Sequence, residues 1–591
     1  MSLGLVAIIG VVLVVAVTAL APKVGIAPPL LLVALGFAVS LLPFVDAVTI
    51  NPEWVLAGVL PPLLYSAAVN TPAMEFRRDF RLISAFSVTL VVVTAVAIGF
   101  LLSAAIPGVP LGIGIAFGAI ISPTDAVATS IVRQSGVPPR IVTVLQGESM
   151  LNDASALVLL RSAVAAVGVS VSLWVVVGEF LWAVLAALAI GYAVGKLNLL
   201  VRSRINHVTA NVVLSLAIPF MAYLPAERLG ASGLVAAVTA GLVAGRGAAR
   251  MLGAEDRLAE RAVWRTVELL LESGVFLLVG LELPALTEDL LERGGSLVQA
   301  TLVAIGAFTV AIVIRAAFVA WSVWSLARRS RRRPAVREHL AEMQDQLAEG
   351  QLPMPDNDEQ TGRQERRVRR LSRISGANAP SAEAQLGRWQ RLVGRRLADI
   401  DYLAAQEFGW REGIVLVAAG MRGAVTIAAA QSLPSTTPHR SLLILAATLV
   451  AVGTLVVQGG TLPWLVGRLG LTGRPADGDP AQWAQLQAEL TRAAVQRLSE
   501  NLEGYPPEIV ERVQARLRRL PGMDEDAEFP GGAAAGERAA KLSKLRLKLL
   551  AAQREELLAI RDLGTYPSGL LDAALTQLDA EQLGIELQRH E

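Results

Sequence analysis

The sequence predicts an all-α, polytopic membrane protein of about 13 transmembrane helices in two inverted six-helix repeats, with helices 5 and 12 interrupted and helical cytoplasmic segments appended. Three observations lead there. Of the 591 residues, 53% are hydrophobic and only 18% charged, whereas a soluble protein carries roughly a quarter charged residues. Apolar runs of about 20 residues, enough to cross roughly 30 Å of hydrocarbon, recur along the chain. Basic residues gather in every second loop, the pattern that orients membrane helices.

The runs fall near 2–21, 26–45, 54–70, 82–106, 110–132, 147–168, 174–200, 208–224, 231–246, 262–283, 296–326, 411–431 and 440–468. The chain opens Met-Ser-Leu-Gly, which lacks the positive start of a signal peptide, so the first run is expected to be a retained helix despite its closing Ala19-Leu20-Ala21. After odd-numbered spans come Lys23; Arg77, Arg78 and Arg81; Arg133 and Arg140; Arg202 and Arg204; Arg246, Arg250, Arg257 and Arg261; then Arg328, Arg329 and Arg331 to Arg333. The other loops offer Arg228, Arg293 and Arg440, and two of them are net acidic through Asp46 and Glu53 and through Glu288, Asp289 and Glu292. This predicts a multi-pass protein of the plasma (inner) membrane, N-terminus outside and C-terminus cytoplasmic.

The expected boundaries are helices 1–11 over 1–326, a charged cytoplasmic insert over 327–410, helices 12–13 over 411–470 and a helical cytoplasmic tail over 471–591. The insert holds an acidic patch at 353–359 and a Ser/Gly/Ala/Pro stretch at 372–384; the tail is interrupted by Pro506-Pro507 and by a glycine-alanine linker at 530–536. A net charge of +2 points to no nucleic-acid partner. Zero cysteines exclude disulfides and thiolate chemistry, and His207, His339, His439 and His590 are too scattered for a zinc or haem site. No phosphate-binding loop is present, and no cofactor is implied.

An ionisable side chain at mid-bilayer costs at least a few kcal/mol and asks for a partner or a purpose. The densest group lies in spans 5 and 6. Span 5, GIGIAFGAIISPTDAVATSIV, carries Thr124 and Asp125 beside Pro123, which lacks a backbone donor and breaks the helix there. Span 6 contains GESMLNDASALV, in which Glu148 and Asn152, and Ser149 and Asp153, are four apart and share helical faces. The oxygens of Thr124, Asp125, Ser149 and Asp153 suit a hard cation such as sodium. Arg422, between Gly420 and Gly423, marks a second interrupted span with one buried cation, while Glu272 and Arg315 are each alone in their helices and are candidate partners for one another. Arg161 is expected to snorkel or to pair locally. Interruptions seven spans apart fit an inverted repeat, the plan in which broken helices meet at a transporter's site.

ISPTDAVA, GESMLNDASALV, LESGVFLLVGLEL and GMRGAV, in that order over roughly residues 1–470, resemble the monovalent cation:proton antiporters, which include bacterial sodium/proton antiporters and animal sodium/proton exchangers. The resemblance implies that Asp153 takes either cation or proton, that Asp125, Thr124 and Ser149 help to hold sodium, and that Asn152-Asp153 is the pair of the electroneutral branch. It implies further that Glu148 pairs with Arg422 to shape the site, and that the protein is a homodimer in the lipid bilayer. One departure stands out: Ala126, not proline, follows Asp125, which bears on cation selectivity more than on function.

The expected function is exchange of sodium, or lithium, for protons, one for one, by alternating access and competition at Asp153; the alternative cargo is potassium. A cation channel would favour a ring of pore sites or a filter loop, and none shows. An intramembrane aspartyl protease could use Asp125 and Asp153, but Met-Leu-Asn precedes Asp153 where such enzymes resemble Gly-x-Gly-Asp.

Overall fold

Proline punctuates the helices of this chain at their starts and glycine at their closest contacts. The computed structural model describes residues 3–24, 27–42, 52–167, 173–330, 333–349, 382–406, 408–472, 480–500 and 533–590. In order these form α1 (Leu3–Val24), α2 (Pro28–Ser40), α3 (Leu60–Val69), α4 (Ala73–Ser84), α5 (Val91–Ala105), α6 (Leu111–Ile121), α7 (Ala126–Gln134) and α8 (Pro139–Ala165). There follow α9 (Leu173–Arg202), α10 (Val208–Arg228), α11 (Gly233–Met251), α12 (Ala254–Glu292), α13 (Leu297–Ser330), α14 (Arg333–Ala348) and α15 (Ala382–Ala405). The last are α16 (Trp410–Ala418), α17 (Ala424–Gln431), α18 (Arg440–Thr454), α19 (Gly460–Arg468), α20 (Pro480–Glu500), α21 (Ala533–Leu563) and α22 (Ser568–His590). No strand occurs among the described residues.

Prolines open α2, α3 and α8, where a missing N–H leaves no hydrogen bond unmade. Short π-helical turns lead into α3 (Trp54–Val59) and join α4 to α5 (Ala85–Leu90) and α18 to α19 (Leu455–Gly459). Among the described residues, eight helical stretches are long and apolar enough to cross a bilayer, and three shorter apolar helices lie at 8–21, 28–40 and 54–69.

The fourth apolar run starts earlier than its sequence pattern suggests. Helix continues back to Ala73, so Arg77, Arg78 and Arg81 lie on α4 rather than in a loop. Arg140 is likewise not a loop charge. It is buried in the first turn of α8, where its Nε and Nη2 donate to Asp79 at 2.8 and 2.6 Å.

The described residues fall into two compact units: Met1–Val323 with Gly409–Asp477 and Asp579–Glu591, and Trp324–Phe408 with Gly478–Leu578. In the first unit the membrane helices pack as two bundles. One holds α1–α3 and α9–α12; the other holds α4–α8 and α16–α19. They meet chiefly where α12 lies against α17 and α18. Within the first bundle α2 and α12 touch backbone to backbone: a side chain at Gly280 would fall 2.2 Å from the Val33 carbonyl oxygen, and one at Gly36 2.3 Å from that of Leu277.

In the second unit, insert and tail form a helical assembly of their own. Leu340 and Leu347 of α14 bury against Val393 and Leu397 of α15, and Arg395 Nε donates to the Asp562 carbonyl of α21 at 2.6 Å. Asp46, Arg331, Arg332, the acidic patch at 353–359, most of the 372–384 stretch, Pro506-Pro507 and part of the 530–536 linker lie outside the described residues.

Candidate functional site

Two helix interruptions cross in the middle of the second bundle. The first runs from Ser122 to Asp125, because Pro123 brings no N–H and crowds the turn before it. Asp125 then caps α7 from extended backbone (φ −79°, ψ 144°), its Oδ1 accepting the Val127 N–H at 3.1 Å. The second runs from Ala419 to Gly423, between α16 and α17. The strands of backbone are tied by the Asp125 N–H, which donates to the Met421 carbonyl at 2.9 Å. The Arg422 N–H donates to Thr454 Oγ1 at 2.9 Å.

Gly423 is required by contact. A β-carbon there would fall 1.3 Å from Asp125 Oδ2. The Asp125 carboxylate therefore occupies the space in front of Gly423, at the N-terminal ends of both α7 and α17, where helix dipoles favour negative charge. The C-terminal end of α16, on the other side of the second interruption, receives cations. Arg315 Nε donates to the Leu416 carbonyl of α16 at 2.9 Å, and Arg422 Nη1 donates to the Gly420 carbonyl at 2.7 Å.

Helix α8 supplies the third wall. Glu148, 1% exposed, is gripped by the Arg315 guanidinium: Nη2 donates to Oε2 at 3.0 Å and Nη1 to Oε1. One turn on, Asn152 Nδ2 donates to Thr124 Oγ1 at 2.7 Å, which joins α8 to the first interruption. Asp153 is 5% exposed and lies within reach of the charge of Asp125. Ser149 shares its face and donates from Oγ to the Gln146 carbonyl at 3.3 Å. Asp125 Oδ2, Asn152 Oδ1 and Asp153 Oδ1 are buried oxygens without a hydrogen-bond partner among the described residues.

Asp125, Thr124, Ser149, Asn152, Asp153 and Glu148 thus converge, but the arginine pairing differs from expectation. Glu148 pairs with Arg315, not with Arg422, and Arg315 is consequently not the partner of Glu272. The reason is reach. Arg315, on the unbroken α13, aligns both its nitrogens with the Glu148 carboxylate, while Arg422 lies on the interruption itself and turns to the carbonyl freed there. Arg422 still lines the same small cavity as Glu148, Asn152 and Arg315. Glu272, on α12 of the other bundle, faces the charges of Asp125 and Glu268. Arg161 pairs with Glu227 at 2.9 Å. Sequence reading passed over Thr454, which braces the crossing; a threonine in an apolar helix carries no signal of that role.

The two half-helices that leave the crossing differ in exposure. Along α7, which runs toward the Arg-rich face of the bundle, Ala126, Ser130 and Arg133 are exposed at helical spacing. Along α17, every residue from Thr426 to Gln431 is buried. The half-helix that runs toward the Arg-rich face is thus the more exposed of the two.

The sequence profile of the transmembrane sodium/hydrogen exchanger family matches residues 9–336 and 391–468, more than half of the chain. The chain belongs to the sodium/hydrogen exchanger family. It is a multi-pass membrane transporter, not an enzyme. An uncharacterized Na+/H+ exchanger of Mycobacterium bovis is 29% identical over 594 residues, 98% of this chain and 96% of that one. A sodium, potassium, lithium and rubidium/H+ antiporter of Bacillus pumilus is 31% identical over 266 residues, 43% of this exchanger and 40% of the relative. The solved sodium proton antiporter MjNhaP1 of Methanocaldococcus jannaschii shares the fold, with a TM-score of 0.52 at 15% identity, over 78% of this exchanger and 97% of that chain.

Two outcomes follow from this geometry. Breaking a buried ion pair costs about 3–5 kcal/mol, so Glu148→Gln and Arg315→Gln should each lower the melting temperature of the purified exchanger. The double variant should lose less than the sum, whereas Glu148→Gln combined with Arg422→Gln should show no comparable coupling. Gly423→Ala should reduce exchange in vesicles to near background, because its methyl displaces the Asp125 carboxylate. Gly274→Ala, where an added β-carbon meets nothing within 4 Å, should leave exchange unchanged.

Proposed function

We propose that this exchanger moves sodium or lithium against protons, one for one and without net charge movement, by alternating access with both ligands competing for Asp153. The observation that carries the reading is the distribution of compensating charge around the crossing. Glu148 is committed to Arg315, and Asp125 to the N-terminal ends of two half-helices. Asp153 has no ion pair among the described residues, and its Oδ1 has no hydrogen-bond partner. A carboxylate left alone in an apolar medium is costly. A proton or a sodium ion neutralises it, and the two cannot bind together.

Sodium would be held by Asp153, Asp125, Thr124 and Ser149, a set of hard oxygens, with Asn152 fixing Thr124 beside them. With Asn152 where a second acid could stand, each half-cycle carries one charge. The loaded site is neutral at Asp153 and can cross the barrier, whereas the empty charged site cannot without a large cost. Potassium is the second reading, favoured by the range of cations in the name of the Bacillus pumilus relative.

The Arg-rich face is read as cytoplasmic, which puts the N-terminus outside, the insert 327–410 and the tail 471–591 inside, and the opening along α7 toward the cytoplasm. About 13 membrane helices in two inverted six-helix repeats, assembled as a homodimer in the plasma membrane, complete the reading.

Cation-induced proton release in inside-out vesicles, with sodium, lithium and potassium in turn, tests it. Flux is expected to survive collapse of the membrane potential and to vanish in Asp153→Asn; sodium-driven flux that persists in Asp153→Asn overturns the assignment. Because protons and cation compete, the half-saturating sodium concentration should rise as pH falls, approaching about tenfold per pH unit for one-for-one displacement.

A further inference from the structure

Helix α12 carries two carboxylates toward the Arg-poor face that the proposed exchange chemistry does not use. Glu282 lies ten residues beyond Glu272, about 15 Å along the helix, and is 4% exposed. Asp289 is seven residues further and so on the same side of the helix. Both reach across to the other bundle. Gln431 Nε2, at the last residue of α17, donates to Glu282 Oε1, and Ser441 Oγ, in the first turn of α18, donates to Asp289 Oδ2 at 2.5 Å.

The corner that receives them is built as one piece. Arg440 donates from Nη2 to the Gln431 carbonyl at 2.8 Å and from Nε to the Leu433 carbonyl at 2.9 Å, which fastens the end of α17 to the start of α18. Gln431 and Ser441 therefore move together. The bonds they make to α12 span the junction of the two bundles, and they lie on the side where α17 is buried. On the opposite side, Gln146 Nε2 of α8 donates to the Ala67 carbonyl of α3 at 3.1 Å, and Ala126, Ser130 and Arg133 of α7 are exposed.

We propose that Glu282 and Asp289, through Gln431 and Ser441, are the latch that holds the Arg-poor side of the exchanger shut while the other side is open. They are positioning residues: they touch neither cation nor proton, and they set which face the crossing sees. Opening the Arg-poor side requires the α17–α18 corner to part from α12, and both bonds break when it does. A purely apolar junction would seal as well but would favour no single register. Two hydrogen bonds to carboxyl groups at i and i+7 fix one.

The inference rests on the alternating-access reading, and its test reads opening rather than transport, so either can fail alone. The chain has no cysteine, which makes the wild type the background for single-cysteine labelling. Ala428→Cys, buried in α17, reports access to the Arg-poor side, and Ser296→Cys, exposed in the loop after α12, marks that face. A membrane-impermeant thiol reagent added from the face that labels Ser296→Cys should modify Ala428→Cys slowly. Adding Gln431→Ala or Glu282→Ala should speed it about tenfold, and adding Ser441→Ala, which removes a single hydroxyl, about threefold, as expected for the loss of one hydrogen bond. The exchange of Glu282→Gln with Gln431→Glu rebuilds the bond with its ends reversed and should restore slow labelling, which a merely packing role would not. Unchanged labelling in Ser441→Ala and Gln431→Ala, or faster labelling confined to the opposite face, overturns the latch.

Discussion

A helix interrupted inside an apolar layer strands backbone N–H and C=O groups that lipid cannot satisfy, each unmatched group costing several kcal/mol. This exchanger interrupts two helices at one depth, and the arrangement of its buried charges answers that constraint. The two half-helix N-termini share the Asp125 carboxylate. The carbonyls at and before the second interruption take donors from Arg315 and Arg422. Arg315 in turn brings its charge to Glu148, and Thr454 braces the crossing strand from the side. Removing any one of these groups leaves another without its partner, so the polar residues of the core form a single dependent set.

That dependence sets Asp153 apart from its neighbours. Glu148 is balanced by Arg315, and Asp125 faces two half-helix N-termini while its Oδ2 meets no donor among the described residues. Asp153 lies one turn beyond Ser149 on α8, buried but outside that set, with an oxygen that meets no donor. A site that exchanges ligands has to be incomplete without one. In the proposed reading, the contrast between the paired Glu148 and the unpaired Asp153 matters more than the number of acids present.

Much of this was legible in the sequence because local rules govern it. Pro123 and the Gly420–Gly423 pair announce the interruptions through backbone chemistry, and the i, i+4 spacing of Glu148 with Asn152 and Ser149 with Asp153 fixes their faces. Pairings between distant helices were not legible. Glu148 and Arg315 are 167 residues apart, and nothing local distinguishes Arg315 from Arg422 as a partner; only the directions of α13 and of the second interruption do so. Arg140 misled for the same reason. Its position after an apolar run reads as a loop charge, and its partner Asp79 is 61 residues earlier, on a helix whose polar start the hydropathy pattern concealed. The joint packing of insert and tail was equally hidden, because amphipathic helices announce that they have an apolar face but not which helix covers it.

The long α12 draws these threads together. It belongs to the bundle that does not hold the crossing, yet it runs the full depth of the site and presents carboxyl groups to the other bundle along its length. On the Arg-rich side, Glu272 faces the charges of Asp125 and Glu268, and Glu268 accepts from Ser66 Oγ of its own bundle at 3.3 Å. On the Arg-poor side, Glu282 and Asp289 accept from Gln431 and Ser441 of the other bundle. The division follows from which bundle supplies the donor: an acid held within its own bundle leaves the two bundles free of one another, and an acid held by a donor across the junction ties them in one register.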